Sequence, residues 1–80
     1  MDKIKVKEGQ IWKGSDYGIY VVTKEYRFEH SSNPRFDLIN RQGIAVEGIG
    51  LSSFEEDTFI AEYPNWLEAV KSEHFNKRRK

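Results

Sequence analysis

Gly9-Gln10-Ile11-Trp12-Lys13, then Gly14-Ser15-Asp16-Tyr17-Gly18, then Ile19-Tyr20-Val21-Val22-Thr23-Lys24-Glu25-Tyr26-Arg27-Phe28 is the stretch that decides the architecture. Two runs rich in β-branched and aromatic residues flank a polar turn bounded by glycines, the pattern of an antiparallel hairpin. The spacing predicts strands over Gln10 to Lys13 and Ile19 to Phe28. In the longer strand Tyr20, Val22, Tyr26 and Phe28 share one face, and Ile19, Val21, Thr23, Glu25 and Arg27 share the other. Its beginning is apolar on both faces, which predicts a central position there. The one-sided remainder predicts curvature away from the core, as small barrels require.

On the N-terminal side, Ile4 and Val6 alternate with Lys3, Lys5 and Lys7, so residues 1–8 read as an arm or an edge strand whose lysines discourage further pairing. On the C-terminal side, His30-Ser31-Ser32-Asn33-Pro34 reads as a loop and Phe36 to Asn40 as a strand. Asn40-Arg41-Gln42-Gly43 carries the residues of a type I turn followed by a glycine bulge. Ile44 to Val46 pairs back, Gly48 and Gly50 mark a bulge or barrel corner, and Asp57 to Glu62 is the last strand. Tyr63-Pro64 then opens a helix of about three turns. Trp66, Leu67, Val70 and Phe75, with Ala69 beside them, form its apolar stripe, and Asn65 or the residues beside Pro64 are placed to cap it. Glu68 near the start, and Lys71 with Lys77 near the end, agree with the helix dipole.

The chain therefore reads as one mainly β (α+β) domain: a small five-stranded antiparallel barrel or curled sheet over 9–62, a C-terminal helix over 64–75 and a basic tail over 76–80. At 80 residues it holds one core, worth roughly 3–5 kcal/mol of net stability at this size. Cysteine is absent, which removes disulfides and thiolate metal sites and fits a reducing compartment. Met1-Asp2-Lys3-Ile4-Lys5 has no apolar signal region, and no apolar run nears the roughly 18 residues of a membrane span. A cytoplasmic location without membrane contact is expected.

Thirteen basic residues balance thirteen acidic ones, but not locally. Both ends are basic, whereas Glu47, Glu55, Glu56, Asp57, Glu62 and Glu68 follow one another with no lysine or arginine between them, so one flank should be acidic. Signals for catalysis are missing. His30 and His74 lie in no metal-binding or metalloprotease spacing, and Ser31 and Ser32 belong to no nucleophile elbow. Glu55-Glu56-Asp57 lacks the alternate ligand positions of a calcium loop, and the glycines form no phosphate-binding motif. No enzyme activity, metal or cofactor is expected.

Aromatic content carries the functional expectation. Two Trp, four Tyr and five Phe exceed what so small a core readily hides. Trp12, Phe28, Phe36, Phe59 and Trp66 are the natural core fillers, while Tyr17 and Tyr26 suit core and surface alike. A binding face for a protein partner is expected at Tyr17, Tyr20 and Tyr26, with Asp16 and Arg35 beside them. The alternative is a single-stranded nucleic-acid binder in which Lys3, Lys5, Lys7, Lys77, Arg78, Arg79 and Lys80 grip phosphate and the tyrosines stack on bases. Zero net charge disfavours it. Self-assembly into a homo-oligomer is a further expectation, because a small core with spare rings gains stability by pairing.

The segment from Val6 to Val22, with Gly9-Gln10-Ile11-Trp12, a short polar loop and Tyr20-Val21-Val22, resembles the opening of SH3-like barrels, and the five-strand count agrees. It is also similar to small uncharacterised proteins of phages and prophages of Gram-positive bacteria. The helix after Ala61-Glu62-Tyr63-Pro64-Asn65-Trp66 departs from a plain SH3-like barrel. The resemblance implies a cytoplasmic accessory protein that acts by binding a host factor.

Overall fold

A computed structural model describes residues 5–26 and 34–75. The expected strand end at Arg27 and Phe28 and most of the His30 to Pro34 loop lie outside them. Among the described residues five strands form, β1 (Gln10–Gly14), β2 (Gly18–Tyr26), β3 (Arg35–Asn40), β4 (Ala45–Gly50) and β5 (Thr58–Glu62), with a short 3-10 helix (Leu51–Phe54) between the last two and one α-helix, α1 (Trp66–Lys71), after them. All pairings are antiparallel, in the order β4-β3-β2-β1-β5, so β2 is central as its two-sided apolar start requires. Of barrel and curled sheet, the chain adopts an open sheet with β4 and β5 as its edges.

Period-two alternation divides the apolar residues between two cores. Trp12, Tyr20, Val22, Phe36 and Leu38 join Val6 and Phe54 on one face, with Ile49 and Phe59 packed against them. Ile11 and Val21 join Ala69 and Phe75 on the other, with Ile19, Ile39, Ile60, Tyr63 and Val70 around them. The first face is covered by the arm and the 3-10 helix, the second by α1 and the turn after it. Phe54 is the centre of the first cover. Its ring meets Trp12, Phe36 and Tyr20 edge-on at centroid distances of 5.1, 5.3 and 6.0 Å, and Trp12 meets Phe59 the same way at 5.6 Å.

The arm is no strand over residues 5–8; a buried side chain holds it instead. Gln10 Nε2 donates to the Lys5 carbonyl (2.7 Å) and to Glu62 Oε1 (3.2 Å), while Gln10 Oε1 accepts from the Lys7 amide (3.1 Å) and Trp12 Nε1 (3.0 Å). Every hydrogen-bonding position of this buried amide is used, which removes the cost of placing it inside. Next to it Gly9 has φ +95°, and a Cβ there would lie 2.5 Å from the Tyr63 carbonyl oxygen. Only glycine allows the chain to pass so close to the entry of α1.

Three register shifts bend the sheet. Pairing of β2 with β3 runs Val22 to Leu38 and then Lys24 to Asp37, so Thr23 is the extra residue of a bulge. Pairing of β3 with β4 slips between Phe36 and Leu38, and Gly48, at φ +72°, supplies the left-handed residue that such a bulge favours. The third slip lies in β5, between the partners of Ile11 and Trp12. Both edge strands are thereby interrupted, which discourages pairing with other chains.

Two sequence expectations change at the C-terminus. Helix α1 covers Trp66–Lys71 rather than 64–75, because Ser72 turns extended (φ −75°, ψ 162°) and places both its amide and its hydroxyl on the Ala69 carbonyl. Phe75 folds back into the second core, and Arg41 holds that segment by donating to the carbonyls of His74 and Phe75, each at 2.8 Å. Trp66, expected in the core, is 37% exposed, and Leu67 is 53% exposed. Of the residues expected to cap the helix, Asn65 does so: its side chain accepts from the Glu68 amide at 3.0 Å, with Glu68 in the first turn and Lys71 in the last.

Candidate functional site

The turns β1–β2 (residues 14–18) and β3–β4 (residues 40–44) meet at one end of the sheet, joined by the side chain of Asn40. Its Nδ2 donates to the Tyr17 carbonyl (3.2 Å), and its Oδ1 accepts from the amides of Gln42 and Ile44, both at 2.9 Å. The β3–β4 turn closes as its residues demand, with the Gly43 amide on the Asn40 carbonyl at 3.0 Å. Arg41 adds a main-chain bond to Ile19 across the same end, at 3.2 Å.

This arrangement presents two apolar side chains to solvent, Tyr17 (37% exposed) and Ile44 (52% exposed), with exposed Asp16 beside the tyrosine. Behind them Tyr20 is buried. It meets the Tyr17 ring at a centroid distance of 6.4 Å and an interplanar angle of 86°. The Tyr20 hydroxyl donates to Asp57 Oδ2 at 2.5 Å, and burial, followed by this bond and the Asp57 charge, holds the phenol well above its ordinary pKa. Asp57 lies against Gly14, where a Cβ would come within 2.8 Å of its carboxylate. Tyr20 is thus the fixed support of the site, and Tyr17 its accessible ring.

The five expected binding residues do not form one platform. Asp16, Tyr17 and Tyr20 lie together, but Tyr26 and Arg35 pair with each other at the far end of β2 and β3. The length of β2 sets Tyr26 and Arg35 far from Tyr17 and Tyr20, and the Thr23 bulge also turns Tyr26 over. The bulge brings Glu25 opposite Phe36 and Tyr26 opposite Arg35, moving Tyr26 to the face opposite Tyr20. There the Tyr26 hydroxyl donates to Asp37 Oδ2 at 2.7 Å, and the Lys24 ammonium stands 4.8 Å from the ring centroid. The hydrogen bond to Asp37, then burial and the charges of Asp37 and Glu47, raise the Tyr26 pKa. Asp37 Oδ1 also accepts from the bulge amide of Gly48 (3.3 Å), while Arg35 Nη1 reaches the Gly48 carbonyl (3.4 Å). This second cluster braces the β4 bulge.

No family model, curated protein or solved structure matches this chain. Of the basic residues expected on nucleic acid, Lys5 and Lys7 are exposed on the arm, and the Lys7 ammonium lies 3.7 Å from Glu62 Oε2. Lys3, Lys77, Arg78, Arg79 and Lys80 lie outside the described residues. Among the described residues no group of three His, Cys, Asp or Glu side chains could hold a metal ion, and no helix is long and apolar enough to cross a membrane. His74 Nδ1 bonds the Tyr63 hydroxyl at 2.7 Å, in the turn that follows α1.

Sequence reasoning missed Asn40, Gln10 and Phe54. Asn40 was visible as a turn former, but the turn it caps by sequence is only one of the two that it holds. Gln10 gave a weak signal, an amide directly before the apolar pair Ile11-Trp12. Phe54 gave none, because no periodic pattern surrounds it.

Proposed function

We propose that this chain is a non-enzymatic protein-binding module whose docking face is the sheet end built by Asp16, Tyr17 and Ile44. The observation that carries this reading is the exposed Tyr17 ring, held in place by buried Tyr20 and by a main-chain bond to Asn40. A large ring on a rigid support loses little entropy when a partner covers it, which is why such residues anchor interfaces. Asp16 at the rim, and Glu55 and Glu56 in the connection that leads to Asp57, favour a partner presenting apolar and cationic side chains. The resemblance of the Gly9-Gln10-Ile11-Trp12 opening to SH3-like barrels and to small phage and prophage proteins supports a host factor as that partner.

Affinity capture from host cytosol tests the reading, comparing the wild type with a Tyr17→Ala, Ile44→Ser double variant. A protein retained by the wild type and lost by the variant is the expected result. Equal retention by both, or retention of nothing, counts against the docking face.

A further inference from the structure

We infer that Asn40 is the positioning residue of this docking face: one buried amide sets where both Tyr17 and Ile44 stand. The inference rests on the docking reading above. Each exposed side chain hangs from a main-chain segment that bonds directly to Asn40, Tyr17 through its carbonyl and Ile44 through its amide. The two segments are otherwise remote in sequence, and the side chain between them is almost wholly enclosed, at 5% exposed.

The chemistry requires an amide. Two N–H donors converge on Oδ1 and one carbonyl faces Nδ2, so the reverse orientation of the group would set donors against donors and oxygen against oxygen. Aspartate matches the side that caps residues 42–44 and fails on the side that holds Tyr17, where it would place a carboxylate oxygen against a carbonyl. Asn40→Asp therefore separates the two functions of one residue. It leaves the β3–β4 turn capped and releases the β1–β2 turn.

The test is nuclear magnetic resonance of the wild type and Asn40→Asp, together with capture of whatever partner the wild type retains. The variant is expected to keep the amide shifts of Gln42 and Ile44, to lose the cross-relaxation between the Tyr17 and Tyr20 rings, and to show lower backbone order over residues 15–18. Binding should fall about tenfold, the size of one charge-free hydrogen bond lost from a preorganised site. An unchanged Tyr17–Tyr20 contact with undiminished order over 15–18 overturns the inference, even if Tyr17→Ala, Ile44→Ser abolishes capture and the docking reading stands. Loosening of the turn with full retention of the partner overturns the assigned role and also removes support for the docking reading. Should Asn40→Asp not fold, the wild type itself decides. Its Asn40 side-chain amide protons must show contacts to Tyr17 and Gly18 and exchange more slowly than those of exposed Gln42, and equal exchange overturns the inference.

Discussion

Replacing Phe54 by alanine should come close to unfolding the protein. The ring is 4% exposed and stands edge-on to Trp12, Phe36 and Tyr20, so truncation removes one transfer term and three ring contacts together. Phenylalanine-to-alanine changes in cores cost about 3–5 kcal/mol, and each aromatic pair adds about 0.5–1.5 kcal/mol beyond its area, not additively. A core of this size supplies roughly 3–5 kcal/mol in all. Phe54→Ala should therefore leave folded and unfolded chains at comparable populations at 25 °C. Phe54→Leu, which keeps most of the volume, should cost about 1–2 kcal/mol and remain folded. Urea titrations followed by tryptophan fluorescence and far-ultraviolet circular dichroism measure both, since Trp12 loses its packing partner when the cover lifts. A Phe54→Ala protein within about 0.5 kcal/mol of the wild type would refute the reasoning, because the 3-10 helix would then not be what closes this face.

Gly9→Ala forces a left-handed residue and a methyl group onto the Tyr63 carbonyl, and should lower the melting temperature by roughly 8–16 °C for about 2 kcal/mol lost. Asn65→Ala removes the bond to the Glu68 amide and should cost about 1 kcal/mol, read from the urea midpoint. Leu67→Gln, at a half-exposed helix position, should stay within about 0.5 kcal/mol of the wild type, and a larger loss would place Leu67 in a contact this fold does not give it. The Tyr20 phenol holds its proton more tightly folded than unfolded, so once pH rises above 10.0 the unfolded chain binds fewer protons and stability falls. Urea midpoints at about pH 9 and about pH 11 should show that decline, and Tyr20→Phe should reduce it; an identical slope in the variant would exclude Tyr20 as its source.

The candidate site was legible only in pieces. Tyr17 and Asp16 stood out as an aromatic and an acid in a glycine-bounded turn, and both are exposed there. Simple alternation along β2 puts Tyr26 on the face of Tyr20, and alternation fails at the Thr23 bulge. A bulge is a property of two paired strands, and nothing in residues 19–26 alone marks where β3 will slip. The same holds for Phe54 and Trp66. Both are large and apolar, and hydrophobicity does not say which of them the curled sheet leaves room for.

What the linear order of residues determined is whatever depends on neighbours a few positions apart: the β1–β2 hairpin, the Asn40 to Gly43 turn, the Asn65 cap and the central place of a strand apolar on both faces. Those follow from backbone preference and from the short side-chain periods of strand and helix, about 2 and about 3.6 residues. The tertiary structure alone decided which face Tyr26 occupies, which ring closes the first core, where α1 stops, and that one asparagine holds two turns. Each of these depends on strand register and on the space left after the sheet curls, and a shift of one residue in pairing reverses every side chain beyond it.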